Sequence, residues 1–407
     1  MTSTPPTRDR TPLVLIQVAT LLSATGNGIA LVVLPWLALE LTGRATAASI
    51  VATATALPLV ASSLLSGTVV DILGRRPTAA GADALSALSV AAIPMLAATS
   101  GLTVTGLALL AGLGAVFDPA GLTARTALLP EAADRAGMGL ERVNAVTEVV
   151  WGVAFLVGPG VGGTLIAVLG ATSTLWVTAG AFAVAVLASV AVRVPGADRP
   201  PPGERPNTLV RSTAEGLAFV WRDRLLRDVS LFGTVLVAVY LPIEAVLLPA
   251  WFQQQGRPEH LGAVLMAFAI GTIGGALAYA RWGRPGLRRT IFVVGTVGAC
   301  AALIVIGQLP SLPVMLGAGV VTGLCYGPVD PLRTLTAQRR ASDHLRGRVI
   351  GVLAASEYAA GPLGFAVVGP AVDTFGVEAT FTVVTVALFV VALGVVGLRS
   401  LRELDAL

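Results

Sequence analysis

The sequence predicts an all-α integral membrane protein with twelve transmembrane helices in two six-helix bundles. Three observations predict it. Of 407 residues, 55% are apolar and 12% are charged, against roughly 25% charged in an ordinary soluble domain, and the mean hydropathy is +0.82. The apolar residues come in long runs, not in short alternating segments, so helices and not barrel strands must satisfy the backbone in lipid. The arginines collect in every second loop, and short residue pairs recur at a near-constant offset between the two halves.

A span needs about 20 apolar residues, at 1.5 Å of rise each. Twelve runs meet this: 13–41, 47–70, 78–98, 102–128, 143–168, 173–192, 229–252, 261–281, 290–308, 312–336, 349–371 and 377–398. The first follows a polar stretch, Met1 to Arg10. It is too long for a signal-peptide core of about 7–15 residues, and reads as a retained helix.

All basic residues are Arg. Arg75 and Arg76, Arg135 and Arg142, the 193–227 segment, Arg281 to Arg289, and Arg339 to Arg348 share one side with Arg8, Arg10, Arg399 and Arg402; the other side holds Arg44 and Arg257. Short cytoplasmic loops collect basic residues, so both termini are expected in the cytoplasm and the chain in the plasma membrane. Scattered in this way, the arginines form no nucleic-acid surface.

The expected organisation is a six-helix bundle over 1–194, a cytoplasmic linker over 195–228, and a second bundle over 229–407. The linker opens with Pro195, Pro200, Pro201, Pro202 and Pro206. Val210, Ala214, Leu217, Ala218, Trp221 and Leu225 then form one apolar stripe at helical spacing. With Arg211, Arg222 and Arg224 beside it, this predicts a helix lying on the inner membrane face. Leu34-Pro35 matches Leu248-Pro249, Asp118-Pro119 matches Asp330-Pro331, and Arg142-Val143 matches Arg348-Val349, all at offsets between 206 and 214 residues.

The sequence offers no enzyme constellation and calls for no cofactor. His260 and His344 lie in separate loops without a cluster at metal-ligand spacing. Cys300 and Cys325 sit in apolar runs as small hydrophobes, and a chain without Lys has no Walker nucleotide loop. Ionisable groups in a bilayer are costly and usually face a cavity or a partner. Asp118, Glu148, Glu244, Asp330 and Glu357 fall within the runs. Burial disfavours the charged form of a carboxylate, so such a group can load and release a proton. Glu244 and Glu357 lead for proton or cationic-substrate binding; each equally suits a buried pair with an Arg. Glu148 suits a structural pair with Arg142 or Arg346. Asn27, between Gly26 and Gly28, is a cavity-lining hydrogen-bonder, and Trp151, Phe155, Tyr240 and Tyr358 suit stacking or packing.

Two motifs stand out. One is Gly67-x3-Asp71-x2-Gly74-Arg75-Arg76, in which Gly67 permits close helix approach, Gly74 a tight turn, and Asp71 suits a helix N-terminus. The other is Gly158-Pro159-Gly160-Val161-Gly162-Gly163, which combines a bend with close packing. Together with the two halves, these resemble the major facilitator superfamily over nearly the whole chain, a fold of parallel halves. The first resembles that family's loop between the second and third helices, although Ile72 stands where an Arg is usual. The resemblance implies that Asp71 latches the cytoplasmic ends when the protein opens outward, and that Asp118 pairs with Arg75. The second resembles the fifth-helix stretch of drug/proton antiporters. Arg142-Val143-Asn144 and Leu345-Arg346-Gly347-Arg348-Val349 resemble the branch with macrolide and siderophore exporters. Leu109 and Ala111 stand where that group often has a fourth-helix Arg, and Arg125 lies nearer the cytoplasmic end, so no coupling role carries over to a fourth-helix Arg. The resemblance implies a monomeric secondary transporter that exports a small lipophilic molecule by proton antiport with alternating access. An uptake permease or uniporter on the same fold is the alternative.

Overall fold

The structure, a computed structural model, describes residues 9–194, 197, 198, 209–341 and 343–406. Among them, twelve helices are long and apolar enough to cross a membrane. In the N-terminal half these are α1 Thr11–Thr42, α2 Ala45–Leu73, α3 Arg75–Thr99, α4 Val104–Ala136, α5 Leu140–Leu169 and α6 Ala171–Ala191. In the C-terminal half they are α7 Arg224–Gln254, α8 Pro258–Trp282, α9 Arg288–Gly307, α10 Leu312–Arg340, α11 Asp343–Phe375 and α12 Val377–Gly397. Each falls on one predicted run. Most extend past it, because a helix keeps its own hydrogen bonds where polar residues meet the headgroups. An even number of spans puts both chain ends on one face, here called the terminal face.

Three spans are interrupted, and each interruption has a local cause. α4 breaks at Val116–Phe117, and Pro119 enters the first turn of the segment that follows. α10 breaks before Val329, between Tyr326 and Pro328, with Pro331 just beyond. Proline has no N–H to donate, so it is tolerated where a segment restarts and not inside one. The matched Asp-Pro pairs thus mark the same event in both halves. α7 widens into a π-helical turn over Ile243–Leu247, between Pro242 and Pro249. Such turns locally re-aim side chains, and this one holds Glu244.

Within each bundle, small residues bring backbones together. Gly271 and Gly275 of α8 meet Gly323 and Gly327 of α10 so closely that a Cβ at any of the four would strike backbone. Between bundles α2 packs on α11 and α7, α5 on α8, and α1 on α7.

The linker segment forms the expected helix, though it ends sooner than the stripe. A helix spans Leu209–Arg222 and ends at Asp223, which caps α7 by accepting from the Leu226 N–H at 2.9 Å. Leu225 therefore belongs to α7. Phe219 and Val220 pack against Leu226, Ala337, Ala341, Val349 and Leu353, while Leu217 and Trp221 of the predicted stripe remain exposed. The helix docks on protein through a different face from the stripe. The side chains of Val210, Arg211 and Ala214, and Pro195, Pro200, Pro201, Pro202, Pro206 and Arg8 altogether, lie outside the described residues, as do the side chains of His344, Arg346 and Arg348. The C-terminal tail Arg399–Ala406 closes over this face. Ser400 donates to Asp228 at 2.7 Å, Asp405 accepts from the Arg289 N–H at 2.9 Å, and Glu403 pairs with Arg340.

One ion pair is buried in the N-terminal bundle. Arg125 of α4 binds both oxygens of Asp83 on α3, at 3.0 and 2.9 Å, and donates to Ser23 of α1 at 3.2 Å; Ser189 of α6 lies 3.4 Å from Asp83. The two side chains are 7% and 2% exposed. Four helices converge on this pair. Removing one member strands a charge, which costs roughly 3–5 kcal/mol. Asp83→Ala should accordingly lower the unfolding midpoint of the detergent-solubilised protein sharply, with Asp83→Ala/Arg125→Met recovering part of the loss; equal midpoints for the wild type and Asp83→Ala would refute the hub.

Candidate transport site and gates

The two bundles close on each other at the face opposite the termini. There the carboxylate of Asp373, near the end of α11, accepts from the backbone N–H groups of Ala45 and Thr46 at 2.6 and 3.2 Å and from Thr46 Oγ1 at 2.5 Å. Arg44 Nε lies 3.4 Å away. Gly369, one turn earlier, presses against Ser49 and Thr46 of α2. The antiporter-like stretch of α5 lies between two helices. Gly158 and Gly162 face α1, where a Cβ on Gly158 would come within 2.8 Å of Gly28 Cα. Gly160 and Gly163 face α8 of the other bundle, and a Cβ on Gly262 would meet the Pro159 carbonyl at 2.7 Å. Trp36 and Leu37 of α1 share one apolar cluster with Val246 and Leu247 of α7 and complete the seal.

Toward the terminal face the bundles part. Near its opposite-face end α2 buries Ala45, Ala47, Ala48, Ser49 and Val51, and beyond that only Ser62 and Val70. Among the described residues, a Cβ on Gly67 would meet nothing within 4 Å, so none of them approaches it closely here. Asp71 and Glu148 are exposed and pair with no group among the described residues. The pairing of Glu148 with Arg142 is not formed, and the side chain of Arg346 lies outside the described residues. The protein stands open to the terminal face.

The loop between α2 and α3 is built as a clamp within the N-terminal bundle. Gly74 has φ +89°, a conformation that favours glycine, and abuts the Asp198 carbonyl. Arg75 donates to the Ala127 carbonyl at 2.8 Å and pairs with Glu131 at 2.5 Å. Arg76 reaches the Val190 and Val192 carbonyls and pairs with Asp198 at 2.6 Å. The expected pairing of Arg75 with Asp118 is therefore corrected: the acid is Glu131. Thirteen residues separate the two along α4, about 20 Å of helix, and Asp118 lies far from the loop.

Asp118 instead lies at mid-membrane, at the restart of α4. It accepts from Ser86 at 3.2 Å and from Asn27 of α1. Arg125, seven residues on and on the same face, acts on it electrostatically. Tyr358 of α11 feels its charge from the other half. In the C-terminal half, Glu244 accepts from Tyr240 one turn earlier at 2.5 Å, and Tyr326 lies within electrostatic reach of Glu244. Glu357 is held in an ion pair with Arg333, which also binds Asp330 at 2.8 Å. The structure thus brings Asn27 to Asp118 and separates Glu357 from Glu244 by function: one carboxylate has an arginine partner, the other a phenol. Trp151 and Phe155 pack on each other, ring centres 5.8 Å apart. Among the described residues no His, Cys, Asp and Glu group could hold a metal ion.

Sequence reasoning did not single out Asp83, Arg333 or Asp373. Asp83 and Arg333 lie inside apolar runs and were legible as intramembrane charges; Asp373 lies two residues past the run 349–371.

Comparison with known proteins agrees with this architecture. The Major Facilitator Superfamily model matches residues 17–284 and 244–405. The multidrug efflux pump Tap of Mycolicibacterium fortuitum is 45% identical over 399 residues, 97% of this chain and 98% of that protein. Tap of Mycobacterium tuberculosis is 45% identical over 402 residues, 98% and 96% of the two chains. Macrolide efflux protein A of Streptococcus pyogenes is 23% identical over 377 residues, 90% of each. Among solved structures, the nucleoside transporter NupG superposes with a TM-score of 0.74 at 13% identity, covering 95% of this chain and 98% of that one. A POT family transporter in complex with 5-aminolevulinic acid gives 0.69 at 12% identity, covering 95% of both; at such identities these two show the fold alone. With two six-helix bundles, paired helix breaks and matches along nearly its whole length, this chain belongs to the Major Facilitator Superfamily.

Proposed function

We propose that this chain is a secondary active exporter that moves a lipophilic small molecule out of the cell in exchange for protons. The observation that carries the reading is its 45% identity, over 97% of its length, to a multidrug efflux pump. A bundle pair closed at one face and open at the other suits alternating access, in which the halves rock about a central site. The units that rock are 1–194 and 229–407, joined by 195–228, and the transporter works as a monomer. The terminal face is cytoplasmic, since it carries most of the loop arginines.

Asp118 and Glu244 are the proton carriers in this reading. Both lie at helix irregularities near mid-membrane and accept hydrogen bonds from neutral donors. A carboxylate moved between wet and dry surroundings changes its proton occupancy. Glu357, paired with Arg333, enters as a switchable partner: a proton or a cationic substrate on Glu357 frees the arginine. The motif residues have gating roles: Gly67, Asp71, Gly74, Arg75 and Arg76 at the cytoplasmic side, Gly158, Pro159, Gly162 and Gly163 at the outer seal.

The test uses proteoliposomes with a trapped pH dye and a macrolide as probe. Macrolide addition should drive proton movement through the wild type. Asp118→Asn and Glu244→Gln should each lose gradient-driven transport at least about tenfold while still binding the probe. Normal pumping and pH dependence in both, and in the double variant, would place coupling elsewhere; no proton movement in the wild type would end the antiport reading. Topology is checked separately. A cysteine at the exposed Arg402 should be labelled by impermeant maleimide in inverted vesicles and not in intact cells, and labelling from outside would reverse the orientation.

A further inference from the structure

The loop motif has a second copy at the other face of the membrane. Gly67-x3-Asp71-x2-Gly74 closes α2, and Gly369-x3-Asp373-x2-Gly376 closes α11. The match extends to geometry. Each Asp stands two residues before its helix ends, at Leu73 and Phe375. The following glycines, Gly74 and Gly376, adopt nearly the same backbone, φ +89° and +84° with ψ 157° and 162°. Yet α2 ends at the terminal face and α11 at the opposite face, so the copies serve opposite ends of one helix pair.

In this structure the α11 copy is engaged and the α2 copy is not. Gly369 lets α11 approach α2 closely enough that a Cβ there would meet Thr46 Cα at 3.0 Å. Asp373 then caps α2 in trans. α2 begins at Ala45 after Arg44, whose side chain makes no cap hydrogen bond. The first N–H groups of a helix lack internal partners; here Ala45 and Thr46 find theirs on the other bundle. Opening this face leaves those groups and the Asp373 carboxylate to water. At the other end, Gly67 faces open space and Asp71 is exposed, with the N-terminus of α11 on that same face.

We infer that α2 and α11 form a two-ended toggle in which Asp373 latches the outer face while the cytoplasmic face is open, and Asp71 latches the cytoplasmic face in the reverse state. The engaged copy supplies the geometry for the other: Gly67 meets the first turns of α11, and Asp71 accepts from its leading N–H groups. α2 is 29 residues long, about 44 Å at 1.5 Å per residue. A rigid pair of that length, rocking about its middle, closes one end as it opens the other. The inference rests on the alternating-access reading above and adds Arg44, Thr46, Gly369 and Asp373 as the outer gate.

The experiment places spin labels on the full-length protein after Cys300→Ser and Cys325→Ser. Ser100→Cys with Glu378→Cys reports the outer face, and Asp134→Cys with Arg284→Cys the cytoplasmic face. Asn keeps an accepting oxygen and loses the charge that faces the helix N-terminus, worth about 1 kcal/mol, or about fivefold in a two-state ratio. Asp373→Asn and Gly369→Val should each raise the outer-open fraction about fivefold, with Thr46→Val shifting it less in the same direction. Asp71→Asn and Gly67→Val should lower it, and the Asp71→Asn/Asp373→Asn double variant should return near the wild type. If the Asp71 and Gly67 variants move the distances while Asp373→Asn, Gly369→Val and Thr46→Val leave the wild-type distribution, the outer latch is wrong and alternating access stands. If no variant changes either face, both latches are wrong.

Discussion

Every backbone N–H and C=O of a chain in lipid must find a partner, and this structure is organised by how it meets that demand where helices stop or break. Continuous helix satisfies it without help. Each exception needs a reason and a cover. At α4 and α10 the ladder lapses around Pro119, Pro328 and Pro331, and an aspartate opens the restarted segment, where the helix dipole favours negative charge. At α2 the leading N–H groups are covered from the other bundle by Asp373. Irregular backbone is tolerated at membrane depth where protein or a wet cavity covers it, so the same places that relieve the backbone hold charged groups between the bundles. Fold and site are one problem here.

The two halves solve their charge problem differently. In the N-terminal half, Arg125 is buried against Asp83 and only acts on Asp118 from a distance. In the C-terminal half, Arg333 is itself engaged by two acids, Asp330 and Glu357, while Glu244 keeps company with phenols. An arginine locked in a four-helix hub fixes a bundle's shape. One shared between carboxylates, with Glu357 27% exposed, can change partners at lower cost because water compensates what it leaves. The halves share a fold and a pattern of breaks, but the labile chemistry lies nearer the second.

The fold was legible because its signals are long. Twenty apolar residues in a row, a charge alternation from loop to loop and paired Asp-Pro breaks each integrate over many positions. The site was less so, because a motif gives neighbourhood in sequence and not depth along a helix. Asp118 seemed available to Arg75 by family pattern, yet 1.5 Å per residue puts it about 20 Å from Glu131, the acid actually bound. Glu357 suited a proton site and a buried pair with an Arg equally, because the sequence does not show that α10 brings Arg333 against it. The linker helix shows the same limit: its stripe told which face is apolar, with Leu217 and Trp221 exposed, but not that Phe219 and Val220 on another face would pack on protein.

The seal at the face opposite the termini combines closure with the means of release. Much of it is glycine on backbone: Gly158 on Gly28, Gly163 on Gly262, Gly369 on Thr46. These contacts are close but bury little apolar side-chain area, so their separation forgoes dispersion more than it exposes hydrophobic surface. The directional part is concentrated in Asp373 and its donors on α2. Each of those groups is polar and meets water when the face opens, so the net cost of release is that of exchanging one hydrogen bond for another, not of orphaning it. Beside them, Trp36 and Leu37 of α1 with Val246 and Leu247 of α7 make the apolar part of the seal, whose opening does expose hydrophobic surface. Glycine contacts for fit and one carboxylate for registry, beside that apolar cluster, leave the opening of this face to whatever binds one state better than the other.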